Sequence, residues 1–269
     1  MALVFRRDPC GILCILVTYI TLLYADYCIV THVILPTLSD TLWGSLHVLI
    51  FNFLLFLIIY SHLKASLGDP GCVPFPEVAV DFSEARRSSR KRKDVTNDDW
   101  TMCKFCEMYR PPRSHHCRVC QRCIKRMDHH CPWINNCVGE ENQKFFLLFC
   151  FYTGISCLYS IVLTVCRWSH ACIECTRNQR QNRRIHSIVL ILLCGFYCIF
   201  VLCILFDQLS GIFKDVTTIE QVQKKMARPP KSKLALLTDV CGRGSYYKWF
   251  IPWLSPKFDN DDVVKTFPV

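Results

Sequence analysis

Charge is what the sequence lacks over four long stretches. Leu42–Leu63, Phe145–Cys166 and Ser187–Phe206 hold no Asp, Glu, Lys or Arg, and Gly11–Leu35 holds only Asp26. A hydrocarbon core of about 30 Å takes about 20 apolar residues to cross, so these runs exclude an ordinary soluble domain. Beyond Asp26 the spans offer no charged pathway, which argues against a transporter. Internal repeats and a glycine-rich phosphate loop are also missing, and only 10 of the 269 residues are glycine. Nothing in the sequence therefore points to a repeat array or a phosphate-cradling loop. No cleavable leader is expected either. The apolar run after Arg6-Arg7 is too long and lacks a small-residue cleavage site, so it is read as a membrane helix.

What is present is 51% hydrophobic residues beside 20% charged ones, a pattern of apolar spans separated by polar segments. The predicted organisation is a cytosolic N-terminus (1–10), spans at 11–35, 42–63, 145–167 and 185–207, a basic linker (64–100), a cysteine-rich domain (101–144), a lumenal loop (168–184) and a cytosolic tail (208–269). Orientation follows from Lys and Arg, which gather on the cytosolic side of a membrane. Residues 64–144 hold 15 of them and the tail holds 10, whereas the turn Pro36–Thr41 holds none. Both termini and the long middle loop are therefore placed in the cytosol. Arg177, Arg180, Arg183 and Arg184 in the lumenal loop run against that count. Asp26 would cost about 2.5–3.5 kcal/mol at a helix centre, so it is expected toward the outer end of its span. Arg86–Lys93, six basic residues in eight, is read as a solvated linker or as an attraction for anionic lipid worth about 1 kcal/mol per charge. No nucleic-acid partner is assigned to it. The fold class expected is an all-α integral membrane protein, with four transmembrane helices and a cytosolic cysteine-rich domain binding two zinc ions.

The 20 cysteines would suggest disulfides in a small secreted chain, but the densest of them are spaced for metal. Cys103-x2-Cys106, His115-His116-Cys117-x2-Cys120-x2-Cys123 and His129-His130-Cys131-x5-Cys137 put seven cysteines and four histidines within 35 residues. A Cys-x2-Cys pair lets two thiolates meet one tetrahedral Zn²⁺ at about 2.3 Å, and imidazole completes such sites. Two structural zincs use eight of these side chains and leave a surplus. His115 competes with His116, and His129 with His130, so spacing alone leaves the ligand set open. Cys131 has a histidine two residues before it and Asp128 beyond that, the ingredients of an activated thiolate. Cys172-x2-Cys175, with only His170 close by, lacks the partners for a further zinc and is read as a disulfide or two idle thiols.

Asp128-His129-His130-Cys131 is also, letter for letter, the signature of the DHHC protein S-acyltransferases. The resemblance takes in Pro132-Trp133-Ile134-Asn135-Asn136-Cys137-Val138-Gly139, the Asp69-Pro70-Gly71 turn after the second span, and Thr217-Thr218-Ile219-Glu220, which matches the family's Thr-Thr-x-Glu motif. It covers about Pro9 to Gly242. It implies an interleaved ligand set: Cys103, Cys106, His116 and Cys123 on the first zinc, and Cys117, Cys120, His130 and Cys137 on the second. It implies Cys131 as nucleophile, His129 as its base and Asp128 as the group that orients His129. The reaction implied moves palmitate, or a similar acyl group, from palmitoyl-CoA to Cys131. From there it passes to a cytosolic cysteine of a membrane-associated protein. Thioester exchange with a thiol is nearly isoenergetic, so positioning and thiolate character suffice.

The same resemblance implies an acyl cavity between the spans. Trp133, Phe146, Phe149 and Ser156, with Thr153 on the same face of the third span, would form one wall; ordinary helix packing is the alternative for the small residues. Arg110, Arg113 and Arg118 are candidates for the CoA phosphates. Thr217, Thr218 and Glu220 would support the catalytic loop, with Thr218 near Asp128, although alone they read as a helix-capping box. Leu236 departs from the family, standing where an Asn precedes a Val-Phe-Gly triplet that is here Val240-Cys241-Gly242. That departure argues against a firmly docked tail. Likeness to the shorter, Golgi-type members implies a Golgi membrane, with the endoplasmic reticulum and plasma membrane as alternatives. The competing functional readings are a membrane-anchored zinc-binding adaptor and a catalytically silent regulator of an active acyltransferase. Neither has a use for Cys131.

Overall fold

The computed structural model describes residues 8–39, 41–75, 100–169, 175–224 and 229–256. The basic run Arg86–Lys93, Cys172 and the residues after 256 lie outside them. Four helices are long and apolar enough to cross a membrane: α1 (Pro9–Leu38), α2 (Leu42–Leu67), α3 (Gln143–Trp168) and α4 (Arg177–Phe213). Asp8 starts α1, its carboxylate accepting the Cys10 N–H at 3.2 Å, with Pro9 in the first turn where no donor is needed. Thr41 and Thr176 cap α2 and α4 in the same way. Near its far end α1 carries a π-helical stretch, Ile29–Ile34.

The outer faces of these helices are apolar and exposed, among them Leu13, Ile20 and Leu23 of α1 and Leu192, Phe196 and Phe206 of α4. Such exteriors suit lipid rather than water. The central helix is α3, more than half of whose apolar stretch is buried, against less than a third for α1, α2 and α4. Phe145 and Phe146 at its start are enclosed with Phe51 and Ile58 of α2 and Leu190 of α4.

At 37 residues, α4 is about 55 Å long at 1.5 Å per residue. It overshoots a hydrocarbon core of about 30 Å at both ends. The stretch read from sequence as a loop over 168–184 is therefore helix from Arg177 onward. Its four arginines occupy the first turns of α4, where Arg183 donates to the Arg167 carbonyl. Cys175, just before this helix, is disulfide-bonded. The other end of α4 carries Asp207 and Gln208 past the span.

The cysteine-rich segment departs from the helical pattern and folds as three antiparallel hairpins: β1 (Thr101–Cys103) with β2 (Met108–Arg110), β3 (His115–Cys117) with β4 (Arg122–Ile124), and β5 (His129–Cys131) with β6 (Asn136–Val138). Side-chain amides fasten it to the bundle. Asn136 Nδ2 lies 2.9–3.1 Å from the carbonyls of Ala65, Ser66 and Gly68, and Asn142 Nδ2 lies 3.0 Å from that of Ala65. These carbonyls belong to the last turn of α2, where a helix has no donors of its own. Beyond it Asp69 Oδ1 accepts the N–H groups of Gly71 and Cys72 at 2.9 and 2.7 Å. The chain then runs alongside β4, with Val73 N–H donating to Cys123 O and Lys125 N–H to Gly71 O, both at 2.8 Å.

The tail is docked, contrary to the expectation raised by Leu236. Two helices, α5 (Thr218–Val222) and α6 (Lys233–Cys241), are followed by a 3₁₀ turn, Tyr246–Phe250. Leu236 is 3% exposed and packs with Ile212, Val240 and Leu147. Buried Lys144 of α3 donates to the carbonyls of Lys248 and Leu254 at 2.9 and 2.7 Å, and Tyr152 donates to that of Phe250. Apolar burial holds the position where the family has an amide. Leu236→Asn should therefore destabilise the protein by at least about 2 kcal/mol, through a lost apolar contact and a buried amide. A lowered melting temperature in detergent is the expected result, and an unchanged one would contradict this packing.

Candidate active site and metal centres

Side chains along a strand alternate between its two faces. In β3 this separates His116 from Cys117, and in β5 it separates His130 from His129 and Cys131. The structure gathers Cys103, Cys106, His116 and Cys123 into one group and Cys117, Cys120, His130 and Cys137 into another, the ligand atoms of each lying within 4.8 Å of one another. Hairpin register places ligands opposite each other, His116 across from Cys123 and His130 across from Cys137. Cys106 Sγ lies 3.2 Å from His116 Nδ1 and 3.9 Å from Cys123 Sγ. His130 Nδ1 lies 3.8, 3.4 and 3.7 Å from the sulfurs of Cys117, Cys120 and Cys137. Tetrahedral ligands at about 2.3 Å from one ion are roughly 3.8 Å apart, so both groups can hold a metal ion with four protein ligands.

Each Cys-x2-Cys turn is shaped for this. The Cys106 N–H points at Cys103 Sγ at 3.4 Å and the Cys120 N–H at Cys117 Sγ at 3.3 Å. The following residues, Glu107 and Gln121, take left-handed φ values of 48° and 53°. On the far nitrogen of the His130 ring, Asp8 Oδ2 lies 3.4 Å from Nε2. A carboxylate there fixes the orientation of a metal-ligating histidine. His115 is buried outside both groups.

Behind the metal-facing side of β5 stands the row Asp128, His129 and Cys131. His129 Nδ1 is 2.7 Å from Asp128 Oδ2. Asp128 is 4% exposed, and donors from three elements satisfy it: His129, Gln208 Nε2 of α4 at 2.7 Å, and the Thr218 N–H and Oγ1 of α5 at 2.7 and 3.1 Å. Burial pushes the Asp128 carboxyl up, but these hydrogen bonds outweigh it and hold the group below the usual carboxylate range. Burial likewise opposes charge on His129, yet the bonds and charges of Asp128 and Cys131 raise it to about 9. The row can thus hold a protonated His129 between the Asp128 carboxylate and the Cys131 sulfur.

Around the row, Thr217 and Glu220 form a capping box at the start of α5. Glu220 also accepts from Arg113 Nε and Nη2 at 3.1 and 3.0 Å, and Asp215 from Arg113 Nη1 at 2.8 Å. The guanidinium of Arg113 is spent on these two carboxylates, which takes it out of the set suggested for CoA phosphates. Arg110 is half-buried, with Nε donating to Thr101 Oγ1 at 2.9 Å, and Arg118 is exposed. Sequence reasoning missed Gln208, whose one signal is that Asp207-Gln208 ends an uncharged run. It also missed His62, buried in α2 with Nε2 3.0 Å from the Trp133 carbonyl and Nδ1 3.1 Å from the Tyr19 hydroxyl.

Cys131 opens onto an apolar cavity between the four long helices. Trp133, Phe146, Phe149, Thr153 and Ser156 share its lining with Cys131. Trp133 is held against Tyr197 and Phe200 of α4, ring centroids 6.4 and 5.5 Å away.

A thiol paired with a histidine at the wall of an intramembrane cavity is the equipment of a membrane-bound thiol enzyme. The profile of the DHHC palmitoyltransferase domain matches residues 96–225. Human palmitoyltransferase ZDHHC3 is 36% identical over 258 residues, covering 94% of this chain and 84% of that protein. Rat palmitoyltransferase ZDHHC7 is 35% identical over 263 residues, covering 94% and 82%. A probable protein S-acyltransferase 12 from Arabidopsis thaliana is 28% identical over 230 residues, covering 82% and 76%. The chain belongs to the DHHC palmitoyltransferase family, a family of protein S-acyltransferases.

Cys123→Ser tests the metal groups. Cys123 is fully buried and belongs to the first group. Loss of bound metal and a lower yield of folded protein are expected by elemental analysis and size exclusion; full metal content would mean that another residue is the ligand.

Proposed function

We propose that the protein moves a fatty acyl group, palmitate or one of similar length, from acyl-CoA through S-acyl-Cys131 to cysteines of membrane-associated proteins. One observation carries the reading: Cys131 lines the apolar cavity while His129, on the same face of β5 and bonded to Asp128, stands beside it. With the proton of the Cys131 thiol held on His129, the Cys131 sulfur attacks the thioester carbonyl, and His129 gives that proton to the leaving CoA sulfur. Asp128 holds the His129 ring and stabilises its charged form. In the second step His129 takes the proton of a substrate cysteine whose sulfur attacks S-acyl-Cys131; the acyl group moves to that sulfur, and the Cys131 sulfur leaves beside the protonated His129.

The acyl chain lies in the cavity, where the small Ser156 leaves room deep along α3, and the CoA phosphates lie outside, near Arg110 and Arg118. The metal proposed for both Cys₃His groups is zinc. Four protein ligands close each site, so its contribution is to folding, roughly 10–16 kcal/mol for such a site at neutral pH. Both termini and the cysteine-rich domain are cytosolic, which puts Cys131 on the side where acyl-CoA and substrate cysteines are found. A Golgi membrane is the proposed location, on the likeness to the shorter Golgi-type members.

Purified protein incubated with palmitoyl-CoA should acquire a hydroxylamine-labile acyl group, and Cys131→Ser should lose it while keeping its metal. A variant that still acylates, or that loses metal in step with the label, would overturn this division of labour. Gln208→Leu removes one donor to Asp128, a loss of about 1–1.5 kcal/mol. It should slow self-acylation about 5–10-fold with metal content unchanged; a wild-type rate would show that Gln208 plays no part in orienting the row.

A further inference from the structure

The first helix brings two more thiols to the place where Cys131 is acylated. Along one side of α1, Asp8 reaches His130 at 3.4 Å. The backbone at Gly11 lies so close to the Asn135 side chain that no Cβ fits between them. Further along, Thr18, Thr21, Leu22 and Ala25 line the same cavity as Cys131. Cys14 sits inside this series, one turn before Thr18, and the Thr18 hydroxyl donates to its carbonyl at 2.9 Å. It is bracketed by contacts to residues 130 and 135 on one side and by the Cys131 cavity on the other. Cys10 and Cys14 stand at i and i+4, on one side of α1. Cys10, one turn closer to the helix start, is exposed, and Cys14 is half-buried. Neither belongs to a metal group.

We propose that Cys14 and Cys10 are acyl acceptors in cis, loaded from S-acyl-Cys131. The inference rests on the reading of Cys131 as nucleophile. In the step, the Cys14 sulfur attacks the carbonyl carbon of the Cys131 thioester. The bond from that carbon to Cys131 Sγ breaks, a new thioester forms on Cys14, and the proton lost by the Cys14 thiol ends on the Cys131 thiol. One thioester is exchanged for another, so no oxidant or further reactant is required. A second exchange of the same kind carries the chain one helical turn outward to Cys10. Cysteines at the edge of a membrane helix are suited to hold such a chain, because the acyl tail stays in hydrocarbon. Cys131 is then free for another acyl-CoA, so one protein molecule stores more than one acyl group.

The test is peptide mapping of full-length protein in detergent after incubation with excess palmitoyl-CoA. The wild type should carry thioester label on the peptide with Cys10 and Cys14 as well as on the Cys131 peptide, and total label should rise above one per chain. Cys131→Ser should lose both labels, and a Cys10→Ser, Cys14→Ser double variant should keep the Cys131 label alone. Wild-type label confined to Cys131 would overturn this proposal and leave the nucleophile standing. Absence of label everywhere on folded, metal-loaded protein would overturn both. Label on the α1 peptide of Cys131→Ser would mean direct acylation by acyl-CoA and would also refute the relay. Mixing differently tagged wild type and Cys131→Ser should leave the variant's α1 peptide unlabelled, and label there would refute transfer in cis.

Discussion

A strand has two sides, and that constraint organises the centre of this protein. β5 is three residues long; its middle residue lies in a metal group, while its outer two share the opposite face, where Cys131 lines the cavity and His129 meets Asp128. Two adjacent histidines therefore live in different surroundings. His130 faces three sulfurs, and His129 lies between the Asp128 carboxylate and the Cys131 thiol. The pairing of β5 with β6 sets Cys137 opposite His130, so a bound metal also fixes how β5 is rotated. With a metal bound there, the orientation of the Cys131 thiol follows from ligation on the opposite face of the same three residues.

The second constraint is the seam between hairpins and helices. Polar side chains do the joining there, because main-chain groups at helix ends need partners. Asn136 and Asn142 serve the carbonyls that end α2, His62 holds the Trp133 carbonyl, and Gln208 reaches Asp128 from α4. Each such bond adds on the order of 1 kcal/mol, less than the helix packing contributes. What the bonds set is register: the cavity wall formed by α3 and α4 and the thiol presented by β5 cannot slide past each other.

Much of this was legible in the sequence, and the reasons differ by feature. Metal groups announce themselves through Cys-x2-Cys spacing, and spans through missing charge, because both are local. The choice of His116 over His115 and of His130 over His129 depends on strand alternation, which spacing alone does not reveal. Arg113 looked like a phosphate ligand because arginine is exposed by default; its partners Asp215 and Glu220 are about a hundred residues away in sequence. Gln208 was hidden for a similar reason, since its contact exists only because α4 runs past the membrane. Leu236 misled in the opposite direction: measured against the family it looked like a defect, whereas in this chain its neighbours Ile212, Val240 and Leu147 are apolar to match.

The two metal groups alternate along the chain, with His116 and Cys117 adjacent and assigned to different groups. A metal held by Cys103, Cys106, His116 and Cys123 would therefore also fix the strand that carries Cys117, so each group, once loaded, pre-forms part of the other.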